Sequence, residues 1–453
     1  MKMTVAEIAR ICGASLDGDP STLVSGVAID SRKVRPGDLF VAVAGQFVDG
    51  NDHVGDASRN GAAAVLAERA HAGRVSLVVA DPMVSLVTLG TWVRDEVDPI
   101  MVGITGSTGK TTTRDLARSV ASQRFSTIAN EGNFNNDIGV PLTLLRLRRE
   151  TQVAICELGA RGKGDIARLS QYVRPQLGVV TNVSSAHIEI FGSQEAIAEG
   201  KGELVECLPE GGTAILNADD PFVIGMAARS KAEMLTFGIE QPAWISASNI
   251  TIDSLGRPTF RMRRGSSTTQ VELRISGIHQ VMNALAASAV GLALGCSIEE
   301  CRDGLQSAST APWRMEVVEN NGVVIVNDSY NANPASVQAA LSTCAQMAGS
   351  DGRFIAVLGY MAELGPIEEQ EHVAIGRSAG EVANRLIVVG ERASMIAAGA
   401  AGSKAEVVKV ASVEDVLHAV GDLRSGDVVL VKGSRVARLE VAAKALSESV
   451  NAL

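Results

Sequence analysis

At 453 residues the chain is longer than one hydrophobic core organises, and the usual domain size points to roughly three units. Its residues are 46% apolar but only 3% aromatic, so the core must be built from Ala, Val, Leu and Ile, the vocabulary of α/β folds with buried parallel strands. A formal net charge of −10 with no block of Lys or Arg excludes the electrostatic footprint of a nucleic-acid binder, and the scattered Cys12, Cys156, Cys207, Cys296, Cys301 and Cys344 suggest neither a zinc site nor a disulfide framework.

The opening stretch MKMTVAEIARICGASLDGDP lacks the continuous apolar run of a signal peptide. Residues 1–98 alternate short strands, GDLFVAVAG, GAAAVLAE and VSLVVAD, with turns, and Asp98-Pro99 ends the segment ahead of the next strand. Residues 99–310 open with strand, glycine loop and helix in PIMVGI, TGSTG and KTTTRDLARSVASQ, then add apolar strands at QVAICELG, LGVVTNV and GGTAILNAD. Such runs separated by helical patterns predict a parallel sheet. WISASNITIDSLGRPTFRMRRGSSTTQVELRISG alternates around Gly and Pro and predicts antiparallel hairpins at one edge.

Helices from about His279 to Leu294 and from Ser297 to Ser307 close this block. The first is the most apolar of the chain, but it is short for a bilayer span and carries Asn283, so a soluble cytoplasmic protein with no membrane insertion is expected. After Pro312 the rhythm restarts with GVVIVND, FIAVLGY, RLIVVGE, EVVKVA and DVVLVKG, each followed by a helical stretch, which predicts a second, doubly wound sheet. The expected fold is α/β with three domains: a small N-terminal α/β domain (1–98), a central P-loop-type, mostly parallel sheet domain (99–310) and a C-terminal Rossmann-like α/β domain (311–453).

GITGSTGKTTT, Gly103 to Thr113, is a phosphate loop with shifted spacing. The usual G-x-x-x-x-G-K-[ST] needs glycine at position 104, where Ile104 stands. A glycine loop between a buried strand and a helix still turns backbone N–H groups and the positive helix end toward phosphate. Lys110 can then reach the β and γ oxygens, and Thr111 can offer its hydroxyl to Mg²⁺.

Other candidates are ambiguous by residue type alone. Glu157 ends the strand QVAICELGA, where a carboxylate is either a solvated loop charge or one pointing into the crevice at the strand ends. His187, after another strand end, is a hydrogen-bonded structural residue or a ligand. Lys201 in AIAEGKGELVE reads as a solvated helix lysine. Asn133, Asn135 and Asn136 in NEGNFNND suit a turn, since Asn tolerates left-handed backbone, and Asp30, Ser31 and Arg32 suit a surface turn. Asn333 before Pro334 is a helix N-cap with proline at the first helical position. That leaves Asp328, Tyr330 and Asn331 of the same loop unexplained, while Asn283 inside an apolar helix needs a polar partner, adenine or backbone.

The loop's shape and the motifs that follow it in order resemble the Mur ligases. These are SGVAIDSRKVRPGDLFVAVAGQFVDGNDHVGDASRNGAAAVL, NEGNFNNDIGVPLTLL, ELGARGKGDIARL, AHIEIFGSQEAIAEGKGEL, LNADDP, GIHQVMNALAA, WRMEV, NDSYNANPASVQAAL, GYMAELG and VKGSR. The resemblance covers nearly the whole chain. It implies ATP held by Gly106, Ser107, Thr108, Gly109, Lys110, Thr111 and Thr112, with Asn283, Arg314, Asp328 and Tyr330 completing the nucleotide site. It implies Mg²⁺ bound by Thr111, Glu157, His187 and a carbamate on Lys201, with Lys110, Glu157, His187 and Lys201 as the catalytic set. Substrate would be contacted by Asp30, Ser31, Arg32, Asn133, Asn135, Asn136, Asn331 and Asn333.

The DSYNANP loop resembles the dipeptide-adding branch, which implies a monomeric ligase joining UDP-MurNAc-tripeptide to D-Ala-D-Ala at the expense of ATP. Two alternatives stand beside it: a sibling ligase adding the third amino acid, against which the chain has no DNPR motif, and a nucleotide-binding partner without turnover. Three positions depart from the family's pattern. Trp313 replaces the usual glycine before Arg314, Tyr360 an aspartate, and Gln280 an asparagine after His279, which leaves the C-terminal nucleotide contacts open.

Overall fold

The computed structural model describes residues 2–45, 48–185, 188–309 and 311–451. They fall into two compact units, one of residues 1–103, 125–159 and 166–177, the other of 104–124, 160–165 and 178–453.

The first unit contains a five-stranded sheet in the order Ser15–Asp17, Ser76–Val78, Ala64–Ala67, Asp38–Val41, Gly26–Ala28. Only the first pairing is antiparallel. Every residue of Ala64–Ala67 and Asp38–Val41 is buried, as parallel strands covered on both faces require. The helix Pro82–Val97 starts on Asp81, whose carboxylate accepts from the N–H groups of Met83 and Val84, and stops where Asp98 turns left-handed before Pro99. A parallel pair, Thr127–Ala129 with Val153–Glu157, carries the asparagine loop between its strands.

In the second unit the strands run in the order Leu177–Val180, Thr213–Asn217, Glu233–Gly238, Ile245–Ile252, Pro258–Arg264, Ser267–Glu272. The last two pairings are the expected antiparallel hairpins. The buried helix Gln280–Ala293 and the helix Ile298–Ser307, opened by a Ser297/Glu300 capping box, lie where the apolar periodicity put them.

The C-terminal sheet has the order Glu316–Asn320, Val323–Asn327, Val428–Lys432, Phe354–Gly359, Arg385–Val389, Glu406–Val410. Alternate residues of one strand feed two separate cores. Val324 and Val326 pack with Leu341 and Ile375 on one face, while Val323 and Ile325 pack with Leu439 and Leu446 on the other. This is the doubly wound sheet of the expectation, with one addition. Glu316–Asn320 pairs antiparallel with Val323–Asn327 through a two-residue loop, Asn321-Gly322, whose φ angles of +52° and +77° make the hairpin turn that follows strand twist.

Candidate functional site

The strand Ile100–Thr105 delivers the chain into the glycine loop, and the helix Lys110–Ala121 leaves it. Gly106 and Gly109 both have positive φ, +149° and +77°. A Cβ on the first would lie 1.9 Å from Thr181 Oγ1 and on the second 2.3 Å from Asn283 Oδ1, so glycine is required by backbone and by space together.

Thr181 and Asn182, just past the end of the strand Leu177–Val180, hold the loop in place. Thr181 Oγ1 donates to Thr108 O at 2.6 Å, and Asn182 Oδ1 accepts from Thr108 N at 3.0 Å and from its hydroxyl at 3.1 Å. Ser107 Oγ accepts from Ser184 N at 2.9 Å. Lys110 Nζ folds back onto the carbonyls of Gly106, 2.7 Å, and Ser107, 3.1 Å, so the ammonium stays at the loop instead of extending to solvent. Thr111 and Thr112 are buried in the first helical turn. Thr181 and Asn182 escaped the sequence reading, although their place at the end of the apolar run LGVV was a usable signal.

Lys201 is 2% exposed, which overturns the reading of it as a solvated lysine. It lies in the helix Gln194–Glu206 between Gly200 and Gly202, and these two glycines let the helix approach closely on both sides. A Cβ at 200 would meet the Phe191 ring at 2.7 Å, and one at 202 the Arg229 guanidinium at 2.1 Å. Burial first and the charge of Lys110 second push the Lys201 pKa well below its ordinary value. The ammonium form is therefore disfavoured and the neutral amine favoured.

Asn283 is buried. Its Nδ2 donates to Gln280 Oε1 at 2.7 Å and its Oδ1 accepts from Thr113 Oγ1 at 3.3 Å, so its partners are side chains of its own helix and of the loop helix. Gln280, one of the departures, thereby links Asn283 to His279, whose Nε2 lies 2.9 Å from the Gln280 amide nitrogen. If that amide donates, as the contact of its oxygen with Asn283 requires, the His279 proton sits on Nδ1, a buried atom with no hydrogen-bond partner. Burial holds the His279 pKa down, with Asp328 opposing and Lys432 reinforcing the shift.

Arg314, Asp328, Tyr330 and a residue the sequence reading missed, Lys432, form one cluster. The Arg314 guanidinium lies 4.0 Å from the centre of the Tyr330 ring. Asp328 Oδ1 accepts from Met315 N at 3.1 Å, and its Oδ2 pairs with Lys432 Nζ, which also donates to Asn331 O at 3.0 Å. Asn331 itself is exposed, and Asn333 caps the helix Pro334–Ala348 by accepting from Ser336 N at 2.9 Å.

The remaining departures have identifiable neighbours. Trp313 has φ +61° and Met315 +51°, left-handed values that cost a side-chain-bearing residue roughly 1–2 kcal/mol each. Glycine would supply that backbone freely, and Trp313 instead gains packing, with the Arg435 guanidinium 4.8 Å from its ring centre. Tyr360 is buried, stacks on His372 at 5.1 Å, donates its hydroxyl to Glu368 and accepts from Arg392. Burial, then the Glu368 carboxylate, push its pKa up to about 12. A carboxylate thus remains beside position 360, supplied by the following helix.

In the first unit, Glu157 is 2% exposed and is not a solvated loop charge. Asn135 Nδ2 donates to its Oε1 at 2.7 Å, and Asn130 Oδ1 accepts from its backbone N–H at 2.8 Å. Of the other loop asparagines, Asn136 accepts from Gly139 N at 2.9 Å at the start of the short helix that follows, while Asn133 is exposed. Ser31 is buried, and Arg32 forks onto Asp30 with both contacts at 2.9 Å, holding the Asp30 carboxyl down at about 2. The Arg32 side chain is 87% exposed, free to exchange one carboxylate for another anion.

His187 lies outside the described residues. Among the described residues no group of three or more His, Cys, Asp and Glu side chains comes together to hold a metal. Within the first unit the buried Glu157 carboxylate is nevertheless an oxygen donor of the kind magnesium takes, and magnesium uses few protein donors because it keeps waters and phosphate oxygens.

Sequence models described as Mur ligase family catalytic domain, Mur ligase middle domain, and Mur ligase glutamate ligase domain match residues 23–88, 104–291 and 313–435. The UDP-N-acetylmuramoyl-tripeptide–D-alanyl-D-alanine ligase of Mycobacterium tuberculosis H37Rv is 37% identical over 98% of both chains. A crystal structure of MurF from Acinetobacter baumannii superposes with a TM-score of 0.89 at 30% identity over 99% of both chains. The MurF ligase of Thermotoga maritima, solved in complex with ADP, gives 0.83 at 29% identity over 94% of this chain and 98% of that one. With the glycine loop, the buried helix lysine and the three domain matches falling in one chain order, this protein belongs to the Mur ligase family.

Proposed function

We propose that the chain joins UDP-MurNAc-tripeptide to D-alanyl-D-alanine, converting ATP to ADP and phosphate and yielding the UDP-MurNAc-pentapeptide used for peptidoglycan. The observation that carries this reading is the burial of Lys201 beside Lys110 at a phosphate loop, in a chain that matches ligases of this name along nearly its full length. A carboxylate is a poor electrophile toward an amine. The tripeptide's terminal carboxylate oxygen therefore attacks the γ-phosphorus with ADP leaving, and the dipeptide nitrogen then attacks the acyl carbon, loses its proton and expels phosphate.

Lys110 and the N–H groups of the Gly106–Thr113 loop bind the phosphates and stabilise charge that grows during transfer. Thr181 and Asn182 hold that loop in shape. Magnesium is assigned to the Thr111 hydroxyl, the Glu157 carboxylate and a carbamate on Lys201, with His187 as a further ligand, and when bound it supplies positive charge to the phosphate oxygens. Asn135 orients Glu157 through its 2.7 Å hydrogen bond. Asn283, Arg314, Asp328 and Tyr330 are assigned to the nucleotide, and Asp30, Ser31, Arg32, Asn133, Asn136, Asn331 and Asn333 to the other substrates. We divide the work among domains 1–98, 99–310 and 311–453, for the nucleotide sugar, ATP and the dipeptide, in a monomer. No described helix is long and apolar enough to cross a membrane, and we assign the reaction to the cytoplasm.

Release of phosphate is expected to need both UDP-MurNAc-tripeptide and D-Ala-D-Ala, since an acyl phosphate is useful only if kept from water until the amine arrives. A coupled ADP assay tests this. Comparable ADP release with ATP alone refutes the ligase reading, and productive turnover with UDP-MurNAc-dipeptide and a single amino acid assigns the sibling reaction instead.

Arg32→Ala should raise KM for the UDP-substrate on the order of tenfold, the usual effect of one lost charge-assisted contact, and leave KM for ATP within about twofold. Initial-rate kinetics with each substrate varied decide the matter. Equal shifts in both constants contradict the assignment of residues 1–98 to the nucleotide sugar.

A further inference from the structure

The segment Lys432-Gly433-Ser434-Arg435 leaves the carboxyl end of a central strand of the C-terminal sheet. It reaches the linker that enters that sheet directly through Arg435, which lies over Trp313, and indirectly through Lys432, which pairs with the Asp328 that holds Met315. This linker, residues 311–315, is anchored at one end by Ala311 N donating to Asp115 of the loop helix at 3.1 Å, and at the other by Met315 N donating to Asp328. Between these anchors Trp313 and Met315 hold left-handed backbone without being glycine. Such a segment relaxes unless its surroundings fix it. Four contacts do so: Asp328 on Met315 N, Tyr330 N on Trp313 O at 3.1 Å, Glu316 on Trp313 N at 3.1 Å, and the Arg435 guanidinium over the Trp313 ring.

Lys432 stands behind the first of these. Its side chain is 1% exposed, and its ammonium donates to the Asp328 carboxylate and to Asn331 O, so it fixes both the rotamer of Asp328 and the loop that carries Tyr330. The paired lysine also compensates the carboxylate's charge, which would otherwise draw Asp328 out toward water. Arg435 is tied by Glu440 at 3.1 Å, and Ser434 N by Tyr360 O at 2.9 Å, so the segment is itself rigid. Arg314, between the two left-handed residues, is thereby held on the Tyr330 ring.

We propose that Lys432 and Arg435 are positioning residues that clasp the linker and preset Arg314 for an adenine nucleotide, a proposal that rests on the nucleotide role assigned to Arg314 above. A preset linker binds nucleotide at its intrinsic affinity. A released one binds in proportion to the fraction of molecules still correctly folded there, and bound nucleotide restores the arrangement. Loss of the clasp must therefore appear in affinity for nucleotide far more than in turnover at saturation.

The test uses the full chain with Trp92→Phe and Trp244→Phe, which leaves Trp313 as the sole tryptophan and its emission as a direct report on the linker. In this background Lys432→Met and Arg435→Ala are each expected to shift Trp313 emission and to weaken ADP binding, measured by calorimetry, about tenfold, with KM for ATP rising in parallel. KM for the UDP-substrate should stay constant, and kcat should fall much less than KM for ATP rises. Folded variants with parental emission and parental ADP affinity overturn the proposal, as does a fall in kcat at constant KM for ATP. Should Lys432→Met fail to fold, Arg435→Ala, whose side chain is 55% exposed, decides by the same criteria.

Arg314→Ala separates the two layers of the argument. If it leaves ADP affinity unchanged, the nucleotide reading of Arg314 fails, and Trp313 emission alone then judges the clasp. A shift in Lys432→Met, whose altered side chain pairs with Asp328 and not with the indole, supports it, and no shift removes it. If Arg314→Ala weakens ADP binding while both clasp variants shift emission without weakening it, the linker is held by these residues but not for the nucleotide, and the proposal falls.

Discussion

Lys110→Ala is expected to lower kcat by about 10² or more while the protein stays folded, because the role proposed for the lost group is on charge that develops only during phosphoryl transfer. The structure makes the stability cost small. Lys110 Nζ contacts loop carbonyls, not the core, and its charge opposes the protonated form of buried Lys201. Removing it gives up the hydrogen bonds of a partly exposed ammonium to the Gly106 and Ser107 carbonyls and relieves the repulsion with Lys201. Single-turnover ADP formation alongside a thermal melt checks both halves. A folded variant with near-normal turnover means that the Gly106–Thr113 loop is not where phosphate is transferred. A variant that unfolds means that the ammonium's bonds to Gly106 and Ser107 hold the loop together, and the rate then has to be read in Lys110→Met, which keeps the stem.

What was legible in the sequence is what is local. Asn333 and Pro334 start a helix by their own chemistry, and the structure has them capping one. The inner apolar runs after Pro312, such as GVVIVND, FIAVLGY and DVVLVKG, became strands because parallel strands buried on both faces need uninterrupted apolar sequence. The antiparallel strand Glu316–Asn320 was passed over, although Asn321-Gly322 marked its turn, because EVVEN carries only two apolar residues. Glu157 and Lys201 were ambiguous for a different reason: burial of a charge is a tertiary property. Nothing within a few residues of Lys432 foretells that it is buried, since its carboxylate partner lies 104 residues away. Lys201 did leave one trace. Two glycines inside a helix cost it roughly 1 kcal/mol each, and the sequence Gly-Lys-Gly is explained by the close approach of Phe191 and Arg229 on either side.

The reading of Lys201 carries the second large expected effect. A lysine buried this completely has its pKa pushed well below 10.5, which favours the neutral amine over the ammonium. That is the form able to attack carbon dioxide, the nitrogen bonding to carbon while a proton leaves to solvent. The product is an anion, which turns the repulsion from Lys110 into attraction. The sign of the pH dependence follows. Unmodified, the folded chain gives up the Lys201 proton at a lower pH than the unfolded chain, which keeps it up to 10.5, so stability rises with pH between the lowered folded value and 10.5 and is weakened below that window. Carbamylation replaces this penalty with a charge pair, so bicarbonate should stabilise the protein at neutral pH and flatten the rise.

Lys201→Ala is expected to lose most activity, and Lys201→Arg to fare no better, since arginine keeps the cation and cannot form the carbamate. Acetate or formate supplied to Lys201→Ala should restore part of the rate with a saturable concentration dependence, by placing a carboxylate in the vacated space. Carbon-13 bicarbonate gives a direct readout, a carbamate carbonyl resonance in the parent that is lost in Lys201→Ala. A folded, inactive variant that ignores carboxylates, together with a parent lacking that resonance, leaves Lys201 as a buried neutral amine and removes the carbamate from the site. Full activity in Lys201→Ala would mean that the cost of burying a lysine there has no catalytic return at all.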